Sequence, residues 1–199
     1  MISPDPGQGK SPNGAPVEVL AIAGSVRSDS LNVRLLHAAR HAAGDRAEIS
    51  IVPSSDLYAL PPYDPDSPLP EPAARLREAI DEAEAVLIAT PEYNNSIPGG
   101  LKNAVDWAGA AAGDGHDRPM RGKPAAVIGA DRSQIGCDWA LADARKVLES
   151  VGARTIGTGL SVPEAEQAFD EDDALLDDDQ ARQLAEVVDE LIVEGSAPH

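Results

Sequence analysis

Two rhythms of apolar and polar positions alternate along this chain. Short, nearly continuous apolar runs are each followed by a longer stretch with helical spacing. Val17–Ala23 reads as a first buried strand closed by Gly24, and Leu31–Ala43 as a helix capped by Ser30 and ended near Gly44. Ala47–Val52 is a second strand. Pro53–Pro72 is loop, dense in Pro, Asp and Ser, with Tyr58 and Tyr63 embedded. Helical spacing resumes over Ala73–Glu82, where Leu76 and Ile80 stand one turn apart, and a central strand follows from Ala85 to Thr90. A third helix starts near Pro98-Gly99 and carries Leu101, Ala104, Val105 and Ala108 on one side. A Gly- and Asp-rich loop, Gly109–Gly122, leads to a fourth strand at Pro124–Gly129 and a fourth helix over Cys137–Val151. Arg154–Gly159 is a short, Gly-interrupted fifth strand, and Asp177–Val193 a final amphipathic helix. No internal repeat is visible.

Strands alternating with helices predict a doubly wound α/β fold: a five-stranded parallel sheet with helices on both faces. Right-handed crossovers leave few topologies. The strand order 2-1-3-4-5 places the loops after strands one and three side by side at a switch point, where such sheets bind ligands.

Those two loops hold the chain's candidate chemistry. The first is G-S-V-R-S-D-S-L-N, Gly24–Asn32. Gly24 permits a sharp turn. Ser25, Ser30 and Asn32 supply short donors, Arg27 a guanidinium fork, and the helix beginning at Ser30 adds free N–H groups and a positive dipole end. That set suits a phosphate monoester, although Ser30 also serves simply as a helix cap. The sequence matches neither common Gly-rich pyrophosphate or triphosphate cradle. The second loop lies within P-E-Y-N-N-S-I-P-G-G-L-K-N-A-V-D-W, Pro91–Trp107. Pro91 and Pro98 restrict it. Asn94 and Asn95 tolerate left-handed backbone, which turns N–H groups toward a ligand such as an isoalloxazine ring. Tyr93 offers that ring a face or an edge, or packs into an interface. Trp107 is expected in the core or an interface.

Composition narrows the picture. With 199 residues, 42% of them hydrophobic, one domain with a substantial core is expected. Residues 1–16, rich in Pro, Gly and Ser, are read as a disordered lead-in, 17–194 as the domain and 195–199 as a frayed tail. The lead-in lacks the apolar segment of a secretory signal, and no apolar run is long enough to span a membrane. A formal net charge of -18 argues against nucleic acid and anionic membrane surfaces as partners. It leaves room for an anionic cofactor, because local donors override the global field at short range. Cys137 is the one cysteine, which excludes an internal disulfide, fits a cytoplasmic location and reads as a small packing residue. His37, His41, His116 and His199 are scattered and read as surface residues. The acidic run Asp170–Asp173, with Asp177–Asp179, reads as a solvated loop before a helix N-terminus rather than a cation site. No nucleophile elbow is present.

Together the two loop motifs resemble the NADPH-dependent FMN reductases, a flavodoxin-like family that includes bacterial azo-, quinone and chromate reductases. The resemblance runs from Val17 to the end of the fourth helix, with a further likeness over Phe169–Leu191. It implies non-covalent FMN, its phosphate at Ser25, Arg27, Ser30 and Asn32, and its ring along Pro91, Glu92, Tyr93, Asn94, Asn95 and Ser96. It also implies NADPH, or NADH, as hydride source, a small-molecule electron acceptor, and a homodimer or homotetramer whose contacts border the flavin. After strand four the family often has a Gly- and Ser-rich loop, whereas here Asp131 and Arg132 are bulky and charged. Arg132 either contacts the flavin or the nicotinamide nucleotide, or is a surface residue paired with Asp131. Two other readings keep the fold: a flavodoxin-like electron carrier, and an FMN-binding regulatory protein without NADPH activity.

Overall fold

The computed structural model describes residues 14–110 and 118–197. Its strands are β1 (Val17–Ala23), β2 (Ala47–Ile51), β3 (Ala85–Ala89), β4 (Pro124–Ala130), β5 (Arg154–Thr155) and β6 (Leu160–Val162). Its helices are α1 (Leu31–Ala43), α2 (Ser54–Tyr58), α3 (Glu71–Glu82), α4 (Gly99–Gly109), α5 (Asp138–Ser150) and α6 (Asp178–Gly195). The order across the sheet is β2-β1-β3-β4-β5, all parallel, with β6 also on β4. This is the predicted flavodoxin-like topology.

Both faces of the central strands are buried, which is why they read as unbroken apolar runs. Val17, Val19, Ala21 and Ala23 of β1 meet α1 and α6, while Leu20 and Ile22 face α3 and α4. The strands β3 and β4 divide their side chains in the same way. Inside the second layer, buried Arg77 donates Nη1 to the carbonyls of Trp107, Ala108 and Ala110 and so closes the end of α4. Trp107 is in the core, its Nε1 donating to Pro61 O at 2.8 Å.

Two segments differ from the sequence expectation. The fifth strand is two pieces in line, β5 beside Pro124 and Ala125 and β6 beside Ile128–Ala130. Gly157 and Gly159, at φ of 60° and 82°, break it, and Arg145 Nη2 donates to the carbonyls of Ile156 and Gly157 in the gap. The Pro-rich loop after β2 contains α2, whose buried Leu57 covers the sheet near that edge. The expected lead-in lies mostly outside the described residues, as do the end of the tail, His116 and His199.

Gly129 sets the spacing that the site depends on. A Cβ there would lie 2.5 Å from Thr90 O and closer still to Cys137 Sγ. Gly129→Ala is therefore expected to cost about 2 kcal/mol by overpacking. Urea unfolding should show the midpoint fall; an unchanged midpoint would refute the tight fit.

Candidate functional site

The carboxyl ends of β1, β3 and β4 are joined where the chain leaves the sheet. Gly24 N donates to Ala89 O at 2.7 Å, and Thr90 N donates to Ile128 O at 2.9 Å. The three loops that follow share one rim around a cleft of about 140 Å³. Ser25, Arg27, Asp29, Ser30, Leu31 and Asn32 line one wall, Pro91 and Tyr93 the second, and Ala130, Asp131 and Arg132 the third.

Helix α1 opens onto this cleft. Ser30 is its N-cap, with Oγ accepting from Val33 N at 3.3 Å. The amides of Leu31 and Asn32 have no acceptor among the described residues. Ser25 Oγ accepts from Arg27 N at 3.5 Å, so both serine hydroxyls keep a proton to give.

Asn32 behaves differently from the phosphate donor expected of its side chain. It is buried, its Nδ2 donates to Ala130 O at 2.9 Å and its Oδ1 accepts from Ala130 N at 3.0 Å. The side chain thereby continues the sheet's hydrogen bonding and locks the start of α1 to the end of β4. What Asn32 offers the cleft is its backbone amide.

The charged residues form a chain across the mouth. Arg27 gives Nε and Nη2 to the two oxygens of Asp29, at 2.8 and 2.9 Å. Arg132 Nη2 reaches Asp29 Oδ2 at 3.0 Å, and its Nε reaches Glu166 Oε1 at 2.8 Å. Hydrogen bonds from Arg27 first, then Arg132, hold the Asp29 carboxyl well below the usual carboxylate range. Of the two alternatives for Arg132, the surface pair with Asp131 does not form. Asp131 instead turns back on backbone amides, Ser133 N at 2.8 Å and Glu92 N at 3.3 Å, as short acidic side chains do in loops.

In the second loop, Tyr93 and Ser96 exchange backbone hydrogen bonds of 2.9 and 3.2 Å. Asn94 and Asn95 between them have φ of 52° and 61°, the left-handed backbone that their residue type was expected to tolerate. Their amides lack partners among the described residues. Pro91 and Tyr93 reach the cleft; Glu92, Asn94, Asn95 and Ser96 do not line it. Glu92 Oε2 accepts from Ala140 N at 3.2 Å in the first turn of α5, and Ser96 Oγ donates to Asp143 Oδ2 at 2.6 Å. The turn is thus anchored to α5.

Other candidates are structural. Cys137 is buried, and burial pushes its thiol up to about 12, which suits a packing residue. His41 is exposed, while His37 Nδ1 lies 2.9 Å from Asp173 Oδ2. Asp173 also pairs with Arg34, so the acidic loop is pinned to α1 rather than simply solvated. No group of three metal-ligating side chains occurs among the described residues.

The model of the NADPH-dependent FMN reductase family matches residues 17–167. The chain belongs to that family. An NAD(P)H-dependent FMN reductase of Pseudomonas aeruginosa is 37% identical over 176 residues, covering 84% of this chain and 89% of that protein. A quinone reductase of Escherichia coli strain K12 is 35% identical over 124 residues, 60% of this chain and 63% of its own length, just under two thirds of it. Among solved structures, the flavoenzyme NAD(P)H:(acceptor) oxidoreductase of Paracoccus denitrificans aligns with a TM-score of 0.77 at 35% identity, over 88% of this chain and 95% of that one.

This FMN reductase family member has a donor set that fits a monoester phosphate. Two unpaired helix-start amides, two serine hydroxyls and a guanidinium meet in one cleft. Sequence reasoning passed over Asp29 and Glu166. Asp29 stood in the quoted motif, two residues from Arg27, and that spacing was the available signal. Glu166 had none.

Asn32→Ala should lower stability by about 2 kcal/mol, because it strands the buried amide and carbonyl of Ala130. Chemical denaturation checks this; wild-type stability would show that the clamp contributes nothing.

Proposed function

We propose that this protein is an FMN-dependent NAD(P)H oxidoreductase that delivers electrons to a small oxidised acceptor of the quinone class. The observation that carries the reading is the meeting of a phosphate-type donor set with a rigid, amide-presenting turn on one rim of the switch point. The named activities of the similar FMN and quinone reductases support it.

In this reading the amides of Leu31 and Asn32, the hydroxyls of Ser25 and Ser30 and the fork of Arg27 hold the phosphate. The turn at Pro91–Ser96 holds the ring, with the free amides of Asn94 and Asn95 directed at its polar edge and Tyr93 at its border. Bound FMN supplies hydride acceptance from NADPH or NADH and electron delivery to the acceptor. The protein's part is position and electrostatics, so no side-chain nucleophile is required.

In this reading the cleft of about 140 Å³ takes the phosphate end, and the ring lies outward along the wall of Pro91 and Tyr93. Tyr93 of the cleft wall, Ile135 of the loop after β4 and Trp139 of α5 are 43%, 79% and 64% exposed. Trp139 stands one turn before Asp143, which holds Ser96, so this apolar surface adjoins the turn. We infer that a second copy of the chain covers it, as a homodimer or homotetramer. No helix among the described residues is long and apolar enough to cross a membrane. A cytoplasmic location is our reading, supported by the single cysteine.

An anaerobic visible spectrum of the protein with FMN, before and after NADPH, tests the function. A bound-flavin spectrum that bleaches within seconds is expected. Bound flavin that stays oxidised would favour an electron carrier or regulatory protein instead. Arg27→Ala should weaken FMN binding by about tenfold through loss of a charge-assisted contact. Unchanged affinity in a fluorescence titration would remove Arg27 from the phosphate site.

A further inference from the structure

We infer that Asp29 is a built-in competitor for the cofactor phosphate: its carboxylate occupies the guanidinium fork of Arg27, and the phosphate must displace it to bind. The inference rests on the FMN reading above and concerns what sets the affinity of that site.

Three observations carry it. The first is geometric. Arg27 presents Nε and Nη2 in parallel to both oxygens of Asp29, at 2.8 and 2.9 Å. This two-pronged contact is the one a guanidinium makes with a phosphate, so carboxylate and phosphate are alternative occupants of one fork. The second is local charge. Arg27 and Arg132 line the cleft together with Asp29 and Asp131, so the formal charge of the lining is zero. A dianion entering beside Asp29 meets repulsion that offsets the attraction of the helix start and the serines.

The third is that Asp29 has somewhere to stay. Its Oδ2 already accepts from Arg132 at 3.0 Å, and Arg132 is held on its other side by Glu166. When the phosphate takes Arg27, Asp29 keeps Arg132 and remains charged. The exchange therefore swaps one partner of Arg27 for another and leaves no carboxylate stranded. Asp29 lowers the affinity for every anion that uses this fork. A ligand gains a foothold only if it adds contacts that Asp29 does not match, such as the helix-start amides and the ring-side turn. In this account Asp29 keeps the flavin exchangeable and keeps simple anions out.

The test is a flavin titration by fluorescence quenching of the apoprotein, using FMN and riboflavin, which shares the ring but lacks the phosphate. Asp29→Asn should tighten FMN by about tenfold, the loss of one charge-assisted competitor. Riboflavin affinity should stay unchanged, because riboflavin does not use the fork. In an Arg27→Ala background the gain from Asp29→Asn should shrink to about threefold or less, leaving only longer-range repulsion. Unchanged or weaker FMN binding by Asp29→Asn would overturn the inference while leaving the flavin reading intact. So would an equal gain for riboflavin, or a full gain without Arg27. Failure of the wild-type protein to bind FMN at all would overturn the flavin reading and this inference with it.

Discussion

The side chain of Asn32 holds the site in register. It sits at the start of α1, and both its oxygen and its nitrogen are hydrogen-bonded to Ala130, the last residue of β4. A helix start that would otherwise be free to fray is thereby fixed against the middle of the sheet. The unpaired amides of Leu31 and Asn32 open where the loops after β3 and β4 converge. The close approach of β3, β4 and α5 at Gly129 supplies the other half of the constraint. Helix position and strand spacing together decide which groups face one another across the cleft.

A chain of net charge -18 binding a phosphate ester looks contradictory until distance is considered. Screening confines the global field to roughly a Debye length, about 8 Å at physiological salt. In the proposed site the helix start, two serines and Arg27 are the donors within that range, alongside Asp29, Asp131 and Arg132. The acidic excess is spent elsewhere, on helix caps such as Asp177 and on the pinned loop around Asp173. Among the residues that line the cleft, Asp29 and Asp131 are matched by Arg27 and Arg132. If Asp29 competes with the phosphate as inferred, the site gives up binding strength for selectivity, and the turn at Pro91–Ser96 decides which anionic ligand is retained.

Much of this was legible in the sequence, for physical reasons. Strands buried on both faces appear as apolar runs, so β1, β3 and β4 and the sheet order followed from the pattern. Loops after such strands announce themselves through their polar, Gly- and Pro-bounded composition. The left-handed pair Asn94-Asn95 was readable because residue type limits backbone conformation. What escaped was short or distant. The five-residue α2 is too brief to carry a period, and so is the three-residue β6 that continues the predicted fifth strand beyond its glycines. The clamp from Asn32 to Ala130 spans 98 positions, and the pair Arg132–Asp29 spans 103. Partners so far apart in sequence are chosen by the fold. A pairing of Arg132 with its neighbour Asp131 is readable from sequence as one alternative, whereas its actual partners Asp29 and Glu166 are not.

On the proposed reading, one rim built from the loops after β1, β3 and β4 holds both ends of the flavin. A crystal structure of the protein grown with FMN tests it most directly. The phosphate is expected within hydrogen-bonding distance of the amides of Leu31 and Asn32 and of the hydroxyls of Ser25 and Ser30, with the ring against the turn at Tyr93–Ser96. A phosphate bound away from the start of α1, or a ring seated on another face of the sheet, would contradict it.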